Sequence, residues 1–318
     1  MPSVLLSSPL QGFTDYRFRN AFQKYFGGID TFFAPYIRLN GKYVIKPGYE
    51  RDILPKNNTT LTVIPQIMTN DADEFLFVAE FVQSLGYKEL NWNLGCPYPM
   101  VVNRCMGSGL ISHPARIDGI LKRIHEESDI LVSMKMRMGY DNATEILSVL
   151  PILDRYPLKN LAVHARIGAQ LYKGGVDLES FQACFDATGH KMYYNGDITT
   201  VEGFRAMQER FPAIDHWMLG RGIIADPFLP SMIKNQTTEY PENRAEVFGK
   251  FHDTLFDEFE QQLSGANHVL KKMNSYWEYF GQSFSHNPRG LKKIKKAKNI
   301  EAYEDAVKSV LETLEEKV

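Results

Sequence analysis

Short apolar runs separated by longer stretches of helical periodicity set the rhythm of the first three quarters of the chain. The runs at 3–7, 30–35, 61–67, 88–93, 130–137, 159–164, 191–195 and 214–219 predict strands. Between most of them apolar positions recur at helical spacing, as in 71–85, which opens on an acidic N-cap signal at Asp71 and closes at Gly86. Eight strands with helical crossovers in about 230 residues predict an α/β fold, a (β/α)8 TIM barrel, with a doubly wound sheet as the competitor. The first βα turn, SSPLQGFTD, lacks the G-x-G-x-x-G fingerprint that a dinucleotide-binding doubly wound sheet would carry.

After about residue 240 the pattern loses its strands. Segments 243–263, 266–280 and 300–316 are long, charged and helix-periodic. They predict an all-α domain over 241–318 appended to a barrel over 1–240.

Composition changes this picture little. The 318 residues are 44% hydrophobic and 23% charged with a formal net charge of −2, the profile of an ordinary globular chain. Three cysteines without metal-ligand spacing argue against a disulfide framework and against a bound metal. The start of the chain has no basic segment ahead of its apolar stretch, and no run reaches the roughly 20 apolar residues that span a bilayer. A cytoplasmic monomer without membrane partners is the expectation.

Chemistry belongs at the C-terminal ends of barrel strands, and polar residues gather there. In 130–137 the period-2 alternation puts Ser133, Lys135 and Arg137 on one face and Val132, Met134 and Met136 on the other. The apolar face suits packing against helices, which points Lys135 and Arg137 inward, where two cations need an electron-rich partner. His164 and Arg166 end the next strand, Gln66 sits late in 61–67, and Asn91 and Asn93 share a face of 88–93. The last two strands end in Asn195-Gly196-Asp197 and Gly220-Arg221-Gly222, turns suited to a phosphate. Directly after the fourth strand, Gly95-Cys96-Pro97 places a thiol in the same loop ring. An unperturbed thiol is mostly protonated at neutral pH and can serve as a general acid.

Five ordered blocks, LNWNLGCPYPMVVNRCMGSGLI, VSMKMRMG, VHARIGAQLYKGGVD, YNGDI and LGRGIIADPFL, together with the opening SSPLQGFTDYRFRN, resemble the tRNA-dihydrouridine synthases across the whole predicted barrel. The resemblance implies an FMN-binding oxidoreductase that reduces the C5=C6 bond of uridines in tRNA, with NADPH as electron donor. It implies that Pro9, Leu10, Gln11, Gln66, Lys135, His164, Asn195, Gly196, Asp197, Gly220 and Arg221 contact FMN. It further implies that Asn93, Arg137 and Arg166 face the substrate, and that Cys96 gives the proton to C5 as hydride reaches C6. The chain departs from the family where Tyr98-Pro99-Met100 replaces a stretch that usually holds a lysine, and where Cys105 stands as a second thiol.

The segment 271–298 carries eight Lys or Arg against one acid, Glu278. Lys271, Lys272, Arg289, Lys292, Lys293, Lys295 and Lys296 are therefore candidates for tRNA phosphates, with a solvated helix face as the alternative. A flavin barrel reductase of a small pyrimidine or enoate would share the site but have no use for this run. A tRNA-binding protein without catalysis would have no use for Cys96, Lys135 and His164.

Overall fold

The computed structural model describes residues 3–39 and 41–315. They form two compact units. The first takes in the chain up to Gly12, then Asp30–Asp197 and Phe211–Gly220. The second comprises Phe13–Ile29, Ile198–Arg210 and the chain from Arg221 onward.

All the described strands lie in the first unit: β1 (Val4–Ser7), β2 (Thr31–Phe33), β3 (Val63–Ile64), β4 (Gln66–Ile67), β5 (Glu89–Leu94), β6 (Leu131–Arg137), β7 (Leu161–His164), β8 (Met192–Asn195) and β9 (His216–Leu219). Every pairing is parallel, in the order β3-β2-β1-β9-β8-β7-β6-β5-β4. The two ends of that order, β3 and β4, are consecutive pieces of one run broken at Pro65, a residue with no N–H to give a ladder. Counting them as one strand closes the sheet on itself, which is the predicted eight-stranded barrel. β5 is buried along its whole length, as a strand packed on both faces must be. Leu6, Phe33, Ala162, Tyr193 and Met218 from five strands pack together inside. This apolar filling leaves the polar residues to the strand ends.

Helix starts follow local capping chemistry. Asp71 accepts the N–H of Glu74 at 2.9 Å and Asp177 that of Ser180 at 2.9 Å. The second unit is helical throughout, with Arg244–Gln262, Ala266–Phe280, Pro288–Lys296 and Ile300–Glu315 as its C-terminal helices. The predicted last helical residue, Glu316, lies outside the described residues. Phe248, Phe251, Trp277, Phe280 and Phe284 interlock edge to face in its core. A buried polar contact fixes that packing: the Tyr303 hydroxyl accepts from Trp277 Nε1 at 2.8 Å and meets His252 Nε2 at 2.7 Å. Tyr276, Trp277 and Phe280, just upstream of the lysine run, are thus core. Helix Pro288–Lys296 was not predicted, because Leu291 and Ile294 are its only large apolar residues and the lysines between them hide the period. No described helix is long and apolar enough to cross a membrane.

Candidate active site

Register decides which strand-end residues meet. β5 against β6 pairs Asn91 with Ser133 and Asn93 with Lys135. Arg137 pairs with His164, and His164 with Asn195. In a parallel barrel, paired residues stand at one height, so two polar tiers form toward the C-terminal ends of the strands.

A chain of side-chain hydrogen bonds links the two tiers. Gln66 Nε2 donates to Asn91 Oδ1 at 2.8 Å, and Asn91 Nδ2 donates to Ser133 Oγ at 2.8 Å. Asn93 Nδ2 donates to Gln66 Oε1 at 2.8 Å. Asn93 Oδ1 accepts two backbone N–H groups, from Gly95 at 2.9 Å and Cys96 at 3.0 Å. Asn93 therefore holds the turn that carries the thiol. From the other side, Ser108 N and Oγ donate to the Cys96 carbonyl at 3.0 and 3.1 Å. Gly107 permits this approach, since a Cβ there would stand 2.5 Å from the Cys96 carbonyl oxygen and its φ is +56°.

Cys96 is buried with Met68, Val101 and Met106. Burial pushes its thiol up from the ordinary cysteine value, only partly offset by donors at Tyr98 and Tyr36 and by the Arg137 and Arg38 charges. It is a protonated thiol at neutral pH. Lys135 stands across the same strand pair, and burial first, then the Arg137 charge, pushes its ammonium down to about 7. No side chain among the described residues pairs with it.

The two arginines are held differently from a free substrate clamp. Arg137 donates to the carbonyls of Ile167 and Leu171, both at 2.6 Å, and lies 5.3 Å from the Tyr172 ring centre. Arg166 grips Asp197 with both terminal nitrogens and donates to the Gly174 carbonyl at 2.6 Å. Together they fasten the 167–174 loop over the β6 and β7 ends, with the half-exposed Tyr172 6.4 Å from the His164 ring. Replacing Arg166 by alanine is expected to destabilise the fold by about 2 kcal/mol, less than a fully buried pair would lose because Asp197 remains a third exposed. A denaturant midpoint unchanged from wild type would show the clamp to be energetically idle.

Asn195 Nδ2 donates to the Met218 carbonyl at 2.7 Å, joining the ends of β8 and β9. Gly196 has φ +150° and is tightly packed, since a Cβ there would stand 2.9 Å from Val176 Cγ1, whereas a Cβ on Gly220 would meet nothing closer than Ser8 at 3.6 Å, so the backbone is open at Gly220. Pro9 and Leu10 are partly buried after β1 and Gln11 is exposed. Arg221 opens the second unit, and its assignment rests on the resemblance alone. Sequence reasoning missed Tyr36 and Arg38, which follow β2 and act on Cys96, and Ser7, whose buried Oγ has no hydrogen-bond partner. Among the described residues no cluster of His, Cys, Asp or Glu is placed to hold a metal.

In the second unit, a groove of about 780 Å³ runs between helices Pro288–Lys296 and Ile300–Glu315. Arg289, Lys292, Lys293, Lys296 and Lys298 line it against one carboxylate, Asp305. Lys295 and Lys271 are exposed elsewhere. Lys272 is packed over the rings of Phe13, Phe259 and Tyr276, and burial pushes its ammonium down, so it is tied into the aromatic core.

A family model described as dihydrouridine synthase (Dus) matches residues 5–316. The tRNA-dihydrouridine synthase B of Pseudomonas putida is 29% identical over 230 residues, 71% of this chain and 66% of that protein. That of Vibrio parahaemolyticus is 25% identical over 279 residues, covering 86% of this chain and 85% of the relative. Among solved structures, morphinone reductase in complex with tetrahydroNAD superposes with a TM-score of 0.53 at 7% identity, over 76% of this chain and 89% of that one. A 2-naphthoyl-CoA reductase complex gives 0.57 at 12%, over 75% and 50%. At such identities the structural likeness speaks for the barrel fold only.

Proposed function

This chain belongs to the dihydrouridine synthase family, and from that premise we propose that it reduces the C5=C6 bond of particular uridines in tRNA, with FMN as cofactor and NADPH as electron donor. The observation that carries the reading is a protonated Cys96 beside an unpaired, half-buried Lys135 at the C-terminal mouth of the barrel.

FMN fits the residues present. A buried ammonium without a counter-ion is costly, and an electron-rich ring edge would relieve it. The partnerless Ser7 Oγ and the open backbone at Gly220 fit a polar, phosphorylated ligand. Pro9, Leu10, Gln11, Gln66, Lys135, His164, Asn195, Gly196, Asp197, Gly220 and Arg221 are the residues assigned to it. When bound, the flavin supplies the hydride that reaches C6.

The chain's own residues do the rest. Cys96 keeps its proton on Sγ and gives it to C5. Asn93 and Gly107 fix the loop, so the sulfur does not wander from the reacting carbon. Arg137 and Arg166 support the substrate side by holding the 167–174 loop and Tyr172. NADPH as hydride donor and the uridine as hydride acceptor would use the site in turn, since the sequence carries no separate nicotinamide motif.

The basic groove supports a polyanionic substrate over a free pyrimidine. We assign tRNA contact to the region after residue 240, chiefly Arg289, Lys292, Lys293 and Lys296, with Lys271, Lys272 and Lys295 as weaker candidates. Changing Lys292, Lys293 and Lys296 together to alanine is expected to weaken tRNA binding and flatten its salt dependence by about one unit of slope for each phosphate no longer neutralised. Lys295→Ala, outside the groove, should move the slope less. An unaltered slope in the triple variant would return the run to a solvated face. Mass-spectrometric mapping of dihydrouridine in unmodified tRNA tests the activity itself. Equal reduction of free uracil would instead favour a small-molecule reductase.

A further inference from the structure

One side chain beside the thiol has no part in those steps. Tyr36 follows β2 and packs against the cluster of Met68, Cys96, Val101 and Met106. Its place is fixed by backbone, because its neighbour Ile37 bridges to Ile67 at the end of β4. Ile37 N donates to the Gln66 carbonyl at 2.7 Å and Met68 N to the Ile37 carbonyl at 3.0 Å. This pins the phenol against the cluster that holds the Cys96 side chain.

We propose that Tyr36 is a positioning residue for proton transfer: its hydroxyl donates to Cys96 Sγ, leaves the S–H free to aim at C5, and stabilises the thiolate left behind. The inference rests on Cys96 being the proton donor. In the step, the S–H bond breaks and its electron pair stays on sulfur. The proton forms the new C5–H bond with the pair released from the C5=C6 π bond, the bound flavin being what would supply the hydride to C6. Water then returns a proton to the thiolate. Tyr36 keeps its own proton throughout, since burial and the adjacent sulfur push its phenol far above neutrality. The other groups facing the thiol are cations: Arg38 beside Tyr36, and Arg137 and Lys135 on β6. They favour the thiolate through charge alone.

The test is Tyr36→Phe, which keeps the ring and removes only the hydroxyl. Alkylation of Cys96 by iodoacetamide at about pH 8, read by peptide mass spectrometry on the purified protein, reports the thiolate fraction. Loss of a donor to the charged form should slow it by about tenfold, one unit of thiol pKa. Removing an atom can only widen access, so slower reaction reports the lost hydrogen bond and not obstruction. A rate equal to or above wild type overturns the proposal. The same variant should slow tRNA-dependent flavin reoxidation while its reduction by NADPH is unchanged. Slower alkylation without any dihydrouridine activity in the wild type would leave the Tyr36 bond standing and sink the proposed reaction instead.

Discussion

Replacing Cys96 by alanine is expected to lower dihydrouridine formation by about two to four orders of magnitude while flavin content stays at the wild-type level. The size follows from the role: a placed general acid contributes that much when no other donor can reach the carbon. Among the described residues the candidates close by are poor substitutes. Lys135 is assigned to the cofactor, and burial pushes the Tyr36 phenol far above neutrality. The loop should survive the change, because its hydrogen bonds run through the backbone. Asn93 Oδ1 holds the Cys96 N–H and Ser108 holds its carbonyl, whatever the side chain. Only a sulfur atom is lost from the Met68, Val101 and Met106 cluster, a small cavity. Dihydrouridine counted by mass spectrometry, against flavin absorbance per protein, measures both halves. Near-wild-type turnover would remove Cys96 from the mechanism.

Why the barrel could be read from the chain, and part of its site could not, comes down to range. Each strand lies within about two residues of its apolar run, because burial on both faces imposes a local and uninterrupted pattern. Lys135 and His164 were legible for the same reason: alternation fixes a side chain's face without knowledge of its partner. Partners are non-local. Tyr36 lies sixty residues before Cys96 (96 − 36), and only the bridge from Ile37 to Ile67 across the closing strand brings them together. The arginines show the same limit in another form. Alternation aims Arg137 and Arg166 at the mouth, but their acceptors are carbonyls of Ile167, Leu171 and Gly174, groups every residue possesses and no sequence advertises. Helix Tyr16–Tyr25 follows β1 directly in the chain. Yet Phe18 stacks on Tyr276 and meets Phe251, which places it in the second unit's core.

Replacing Lys135 by methionine should weaken FMN binding by about tenfold to a hundredfold near pH 6, the value of a charge-assisted hydrogen bond in a dry site. Methionine fills a similar volume without charge, so the barrel should tolerate it and even lose the cost of a buried ammonium. The pH dependence carries the sharper prediction. With no ligand present, burial and Arg137 favour the neutral amine, and the proton is lost near pH 7. An electron-rich partner favours the charged form and raises that pKa. Binding therefore takes up a proton at any pH between the two values. The advantage of lysine over methionine is whole below about 7 and shrinks as pH rises through the bound-state value. Taking the ratio of wild-type to variant affinity cancels the ligand's own phosphate, which titrates near pH 6 in both. Fluorescence quenching of FMN by apoprotein, at steps from about pH 6 to about pH 9, reads the ratio directly. A ratio that stays constant across that range would mean that Lys135 meets no electron-rich group, and the site would need a different ligand.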